Sequence, residues 1–462
     1  MKAPAIRPLS LVIVTLGIFT GCATAARPDA TPVPAAPGPA PLEGGRVVPA
    51  PVPPEPIRST ARVTLGAVGD VLMHGAVKQS AAVHGAGAPD AGYSWLFAPI
   101  ADLLAQPDLT FANLETPIAP TTSRGSRAFV FDAPPQVVAA LQRAGVDLVS
   151  VANNHAFDQG RPGFEETLRS LERAGMTYVG AGQAPRAAGP VFVEREGLRL
   201  AFLGYTYGVN QPGNECPPAR KGALPCLQAA EIRAEAVVED VRAAAMAADA
   251  VVVSVHWGIE YEQQPRPKEV ELAHRLADAG ALVVLGHHPH VLQPVELYRR
   301  SDGRLSVIAY SLGNFVSNQS RHFVPGVTPD AVAATRDGAL LRVTLARQDY
   351  GRGVVRVEVV GADFLPLWTE NDTPQIDRKK EPARRPAIRV VAVDRALAQV
   401  RAEIQALPDP LPQEQVERYV QLRRREALFL SRRAAVATLL GEDLLRVLGP
   451  EELEAPGAVA GP

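Results

Sequence analysis

The sequence predicts an α/β domain followed by a C-terminal helical extension. Three observations carry this. Between residues 61 and 180 short apolar runs alternate with stretches of helical periodicity, the pattern of βαβ units. From 190 to 367 hairpin-like pairs of apolar runs join that alternation. Beyond Val393 the pattern turns helical.

The chain opens on a segment with its own logic. Lys2 and Arg7 flank the start of an apolar stretch, Leu9 to Thr20, that is too short to span a bilayer comfortably. It reads as a signal peptide. Gly21 and Cys22 follow, and small residues before a cysteine resemble the bacterial lipoprotein processing box. Residues 1–22 are then the signal, and Cys22 is the acylated first residue of an exported, membrane-anchored protein of the cell envelope, on the periplasmic side or the cell surface. Phe19 departs from the Leu, Val or Ile usual in that box. An ordinary signal peptide with a chance cysteine is the alternative. Residues 23–58 are rich in Ala and Pro, cannot bury a core, and read as an extended tether. Cys216 and Cys226 bracket a Pro-rich stretch and in an oxidising compartment could close a small disulfide loop. Two free thiols are the alternative.

The main domain is expected over 59–367. ARVTLGAVGD reads as a buried strand ending in Gly-Asp. Tyr93–Ala105 has a helix-like pattern, LTFAN is a second strand, and PPQVVAALQRAG is a helix opened by Pro and stopped by Gly145. VDLVSVANNH is a third strand, and GFEETLRSLERAG another helix. A hairpin over 190–205, a helix over 227–246, the strand DAVVVSVHWG, the helix KEVELAHRLADAG and the strand ALVVLGHHPH follow. VLQPVELYR with LSVIAYSLGNF, then GALLRVTLARQ with GVVRVEVVGADFLPL, read as paired strands. Residues 368–392 are polar and read as a linker, 393–450 as the helical extension and 451–462 as a disordered tail. Within the extension Arg423, Arg424, Arg425, Arg432 and Arg433 read as a solvated helix face, with an anionic polymer or membrane surface as the sharper alternative.

Charge excludes one class of partner. The 47 Lys and Arg residues nearly balance 49 Asp and Glu, and no basic stripe interleaved with aromatics is present, so no nucleic-acid partner is expected.

Polar residues recur where predicted strands end: Asp70 and His74, Asn113 and Glu115, Asn153, Asn154 and His155, His256, and His287, His288 and His290. In open α/β sheets ligands bind in the crevice beyond the carboxyl ends of the strands. Singly, each residue has a plain structural reading. Asp70 could cap the next segment, Asn154 could be a turn residue, and His256 beside Trp257 could be a satisfied core histidine. Jointly they point N and O ligands at one crevice. That donor set suits Zn, Mn or Fe. Six or more candidate ligands exceed what one tetrahedral ion needs, which favours two ions bridged by a carboxylate.

The motifs GDVLMH, NLETPI, ANNHAFDQG, HWGIEY, GHHPHVLQPVE and SLGNF, in this order over residues 61–320, resemble the CapA family of proteins associated with poly-γ-glutamate capsule synthesis. That family is similar in fold to the calcineurin-like metallophosphatases, a four-layer α/β/β/α sandwich. The resemblance implies Asp70 on a first ion, Glu115 where the bridging aspartate usually sits, Asn154 on the second ion, and His256, His288 and His290 completing the set. His155 would contact substrate or assist the leaving group, beside Asp70 in the catalytic pair. His74 lies four residues past Asp70 where the metallophosphatase pattern has Asp-x-His, so its place among the ligands is the weakest, and His287 is the least secure of its cluster. The implied function is a metal-dependent hydrolase with two divalent ions, acting on poly-γ-glutamate or a phosphoester of the envelope. The alternative is a non-catalytic assembly factor that binds an acidic polymer and a capsule synthase complex.

Overall fold

Side chains that alternate between the two faces of strands buried on both sides set the layers of this protein. The structure, a computed structural model, describes residues 55–183, 189–216, 227–377 and 379–453. The signal segment, Cys22, nearly all of the tether, Cys226 and residues 454–462 lie outside them.

The strands in chain order are β1 (Arg58–Val71), β2 (Leu109–Asn113), β3 (Leu148–Ser150), β4 (Thr177–Val179), β5 (Ala181–Gln183), β6 (Val191–Arg195), β7 (Leu198–Thr206) and β8 (Leu227–Ala229). They continue with β9 (Ala250–His256), β10 (Ala281–His287), β11 (Val295–Arg299), β12 (Leu305–Ala309), β13 (Asn314–Val316), β14 (Asp337–Asp349), β15 (Val355–Asn371) and β16 (Ile388–Ala392). The helices are α1 (Gly75–His84), α2 (Ala101–Leu104), α3 (Gln136–Arg143), α4 (Gly160–Ala174), α5 (Ala234–Ala247), α6 (Pro267–Ala279), α7 (Val393–Gln405), α8 (Val416–Leu440) and α9 (Pro450–Leu453).

One sheet runs β16-β15-β14-β1-β2-β3-β4, with β13 added beside β1, and a second runs β11-β12-β10-β9-β7-β6. Their inner faces meet: Val63, Leu65, Phe111 and Leu148 of the first bury against Leu200, Phe202, Val252 and Val283 of the second. The intervening residues of each strand point outward. Ala112 and Val149 pack on Leu141 of α3 and on Phe164 and Leu168 of α4. Val251, Val253 and Val255 pack on Val237 and Val241 of α5 and Leu276 of α6. The result is the four-layer α/β/β/α sandwich of the metallophosphatase type. Each fully buried Val, Leu or Phe contributes about 1.5–3 kcal/mol, so the strands that end at the crevice are anchored on both faces.

The parallel strands β1, β2 and β3 end side by side, with Asp70 opposite Asn113 and Asn113 opposite Ser150. The parallel strands β7, β9 and β10 of the other sheet end with Thr206 opposite His256 and His256 opposite His287. The polar strand ends of both sheets therefore meet at one edge of the sandwich.

Several elements differ from the sequence reading. α1 was not legible, because its buried positions are only Val77, Ser80 and Ala81 and form no apolar stripe. The expected helix near 93–105 is two 3-10 turns, Tyr93–Leu96 and Ala98–Ile100, leading into the short α2. The segment 368–392, read as a polar linker, is structured at both ends: β15 continues to Asn371, and β16 pairs with it antiparallel. Alternation is masked there because Arg389 and Glu370 face each other across the ladder and pair at 2.9 Å. The C-terminal helices pack on the sheet instead of standing apart. Leu422 and Phe429 of α8 join Val400 of α7 and Trp368 of β15. Nor is the arginine cluster uniformly solvated: Arg432 is buried and lies 3.3 Å from the buried Asp337, and Arg433 bonds Asp394.

Candidate metal centre

Two glycines let the ligand-bearing strands close on a third segment. A Cβ on Gly69 would meet the carbonyl oxygen of Gly313 at 2.0 Å, and one on Gly286 would meet that of Tyr310 at 1.9 Å. Only glycine fits such an approach. The segment between them is held by Asp70 N donating to Gly313 O (3.0 Å) and Leu312 N donating to Gly286 O (3.0 Å). Asn314 follows and donates to His290 O at 3.3 Å. The Gly-Asp, Gly-His and Ser-Leu-Gly-Asn motifs are thus one assembly.

Asp70 is wholly buried at its centre. Its Oδ1 accepts from Asn113 Nδ2 (2.8 Å), and its Oδ2 faces His288 N (3.3 Å) and His290 Nδ1 (3.2 Å). His287 Nδ1 lies 3.2 Å from Oδ1 but outside hydrogen-bonding geometry. Burial pushes the Asp70 carboxyl up, yet the adjoining His287 and His290 rings outweigh it and hold the group well below the usual carboxylate range. Asn113 also donates to Nδ1 of His256 (3.3 Å), which turns His256 Nε2 toward Asn154 Oδ1 (2.8 Å) and Glu115 Oε1 (3.4 Å).

Glu115 has the most exceptional environment. It is fully buried, and neither carboxylate oxygen has a hydrogen-bond partner. Burial first, and then the Asp70 charge, push it up to about 8. A buried carboxylate next to a second one, both of its own oxygens unpaired, is several kcal/mol unfavourable unless a cation meets it. Burial opposes the charge on His290, but Glu115 and Asp70 override it and raise the ring to about 9. His256 and His288 go the other way, driven by burial: His288 is lowered to about 2, and His256 lies well below its ordinary value. Charged Asp70 and His290 and the neutral His256 and His288 therefore surround Glu115, which burial pushes toward its neutral form.

The backbone serves this arrangement under strain. His288 and His290 sit at φ 97° and 58°, the left-handed region that side-chain-bearing residues avoid. Such positions cost about 1–3 kcal/mol each and concentrate at functional sites.

Ligand atoms of Glu115, His288 and His290 lie within 4.8 Å of one another, as do those of Asp70, Glu115 and His256. Glu115 belongs to both sets. The donors, the orphaned Glu115 oxygens and the paired sets all fit a divalent metal centre. Asn154 adds an amide oxygen through its contact with His256.

His155 lies to one side. Its Nδ1 is 2.8 Å from Asp158 Oδ2, and its ring meets Phe131 edge-on at 4.5 Å. The other neighbour of Phe131 is His74, 4.9 Å away. His74 Nδ1 lies 3.3 Å from Leu72 O and 3.3 Å from Asn318 N, and His74 joins neither three-residue set. Its Nδ1 is engaged with backbone, so the structure offers no ligand role for that atom.

Some participants were not assigned from sequence. Asn113, named among the polar strand ends but given no role there, orients two of the candidate ligands, and Asp158, not singled out, orients His155. Tyr207, half exposed just past the end of β7, holds its ring 4.8 Å from that of His288. The signal for Tyr207 was the same as for the others: a polar aromatic where a strand ends. Cys216 is disulfide-bonded.

Comparison with known proteins shows the family of this chain. The family model described as "Bacterial capsule synthesis protein PGA_cap" matches residues 64–319, more than half of the chain. The chain belongs to the PGA_cap family. It is 29% identical over 323 residues to the capsule biosynthesis protein CapA of Bacillus anthracis, covering 69% of this chain and 70% of that protein. It is 30% identical over 289 residues to the PGA biosynthesis protein CapA of Bacillus subtilis, covering 62% of this chain and 68% of the relative. A probable polyglutamine synthesis accessory protein of Mycobacterium tuberculosis is 32% identical over 219 residues, 46% of this chain and 56% of its own length. The matched segment of this PGA_cap protein begins in β1 and ends shortly after β13, so it contains every candidate ligand and stops before β14, β15 and α8.

Proposed function

We propose that this PGA_cap protein is a metal-dependent hydrolase of the capsule or cell envelope, with two divalent ions shared across Glu115. The observation that carries the reading is the pair of unsatisfied Glu115 oxygens, fully buried, between Asp70 and three imidazoles. Asp70 and His256 would hold one ion, His288 and His290 the other, and Asn154 would complete the set. Ions bound there supply Lewis acidity and a source of hydroxide near neutral pH. Asn113 fixes the orientation of Asp70 and His256. Asp158 accepts from His155 Nδ1–H, so Nε2 is the atom that takes or delivers a proton at the leaving group. Poly-γ-glutamate or a phosphoester is the substrate class. The test is metal content of the purified protein together with hydrolysis of phosphoesters and γ-glutamyl polymers. Bound metal, and activity lost in Asp70→Ala and His288→Ala, are expected. Metal-free protein, or activity that survives both substitutions, overturns it.

A second reading is supported by the accessory role in the name of the mycobacterial relative. Here the protein assembles with a capsule synthase without performing chemistry. Co-purification of a synthase complex that persists in His288→Ala, together with no hydrolysis by the wild type, favours it.

We further propose that the chain is exported and anchored through an acylated Cys22. The disulfide at Cys216 supports an oxidising compartment. Mass spectrometry of the mature N-terminus, with Cys22→Ala as control, tests this; an unmodified Cys22 in membrane-free protein overturns it.

A further inference from the structure

We propose that Asn314 is a positioning residue of the metal centre: its amide holds His290 and passes on to that ring the grip of the C-terminal helix α8. The proposal rests on the reading of the centre as a metal site. It brings to that site residues from beyond the matched family segment, which ends at residue 319.

Asn314 stands beside the centre. It opens β13 in parallel register with Asp70, and it is buried. Its Nδ2 carries two hydrogens and faces three acceptors: Thr335 O at 2.8 Å, Gln319 Oε1 at 2.9 Å and His290 O at 3.3 Å. Two of the three are backbone carbonyls, so the nitrogen must lie on this side of the amide. Oδ1 has no hydrogen-bond partner among the described residues, so the hold on this side chain runs through Nδ2.

The turn that presents the histidines depends on outside holds, because His288 and His290 sit in left-handed backbone. His288 N faces Asp70 Oδ2 at 3.3 Å, Pro289 O accepts from Tyr261 N at 2.7 Å, and His290 O accepts from Asn314. Of these, the Asn314 bond is the one made by a side chain that is not itself a candidate ligand. His290 Nδ1 in turn lies 3.2 Å from Asp70 Oδ2.

Behind Asn314 lies a clamp. Thr335 belongs to the 3-10 helix Asp330–Arg336. The buried Arg432 of α8 spans that helix from end to end. Its Nη1 donates to Asp330 O at 3.4 Å and to Oδ2 of Asp337, the residue after the helix, at 3.3 Å. Ser431 Oγ adds a bond to Asp330 Oδ2 at 3.0 Å. Arg336, the other cation beside Asp337, is engaged elsewhere: its Nε donates to Thr369 O at 2.8 Å, and its guanidinium lies 4.4 Å over the Trp368 ring. The planar fork of an arginine can hold both ends at once, where the point charge of a lysine cannot. The line from α8 to the centre is therefore Arg432, the clamped helix, Thr335 O, Asn314 and His290. Partners that orient a metal ligand without touching the ion typically change metal affinity about 10–100-fold when removed.

The experiment titrates the full purified protein with Co(II) after chelation, and reads both affinity and the visible absorption of the bound ion. Asn314→Ala is expected to weaken Co(II) binding about 10–100-fold and to shift the absorption bands, because an imidazole ligand has moved. Arg432→Lys keeps a cation beside Asp337 but loses the second hold on Asp330. It should fold, weaken Co(II) binding in the same direction, and add nothing further in the Asn314→Ala background. Val241→Ala, a core substitution in α5, should lower the melting temperature and leave affinity and absorption unchanged, which separates positioning from loss of stability. A wild type that binds no Co(II) overturns the metal centre itself. Where the wild type binds, unchanged affinity and absorption in Asn314→Ala, or additive effects of the two substitutions, overturns this proposal alone. If Asn314→Ala does not fold, Arg432→Lys decides, and wild-type affinity in that variant overturns the proposal.

Discussion

Asp158 Oδ2 lies 2.8 Å from His155 Nδ1 and also accepts from Phe131 N at 2.6 Å. One carboxylate oxygen thus sets both the tautomer of His155 and the position of the aromatic ring against which that histidine rests. Asp158→Asn removes the acceptor charge while keeping the shape. We expect metal content to stay unchanged and hydrolysis to fall about 10²-fold. Equal hydrolysis by variant and wild type would remove His155 from proton transfer.

Glu115 carries two opposed predictions. With metal present, Glu115→Gln should lose ions, read by elemental analysis. In chelated protein above about pH 8, where Glu115 is charged, the same substitution should raise the melting temperature above that of chelated wild type, because it removes a buried carboxylate whose oxygens have no hydrogen-bond partner. The gain is on the order of 1–3 kcal/mol. A chelated Glu115→Gln less stable than chelated wild type would contradict the environment described above.

Glu166 gives a pH signature. Burial opposes its ionisation, but the hydroxyls and amides of Thr121 and Thr122 outweigh this and bring it to about 2, from an ordinary value of 4.5. The folded value is depressed, so its stabilisation is full above about 4.5 and is lost as pH falls toward about 2. Urea unfolding of wild type and Glu166→Gln should therefore differ most at neutral pH and converge across that window. A constant difference from pH 7 to pH 2 would refute the assignment.

Arg432 joins α8 to the main domain. Arg432→Met removes the cation 3.3 Å from the buried Asp337 and leaves it only the weaker influence of Arg336, and we expect a loss of up to about 3–5 kcal/mol. Adding Asp337→Asn should recover much of that loss in chemical denaturation. If the single variant unfolds like wild type, α8 is held by its apolar contacts alone.

How far the fold was legible depends on the kind of signal. Strands such as β9 and β10, apolar throughout and ending in histidine, announce both their type and their place in the site. The strand β16 was hidden by Arg389, and α1 by its lack of a stripe. The candidate ligands were legible because strand ends converge by topology, so a list of polar strand ends is already a list of neighbours. Asp158 and Tyr207 were not assigned, because their roles depend on which atom faces which ring. Arg432 was misread for a related reason. Charge on a long helix normally means solvent, and only the opposing Asp337 some ninety residues earlier makes that arginine a core residue.

The left-handed backbone at His288 and His290 has a consequence for how this chain can change. At His288 glycine would relieve the conformational penalty without removing a ring that offsets a buried carboxylate, as His290 does, so loss of that imidazole stabilises the fold. Drift toward stability and drift toward a silent centre run in the same direction here. A chain that still carries His-His-Pro-His in that conformation is held there by what the side chains do, against the preference of its own backbone.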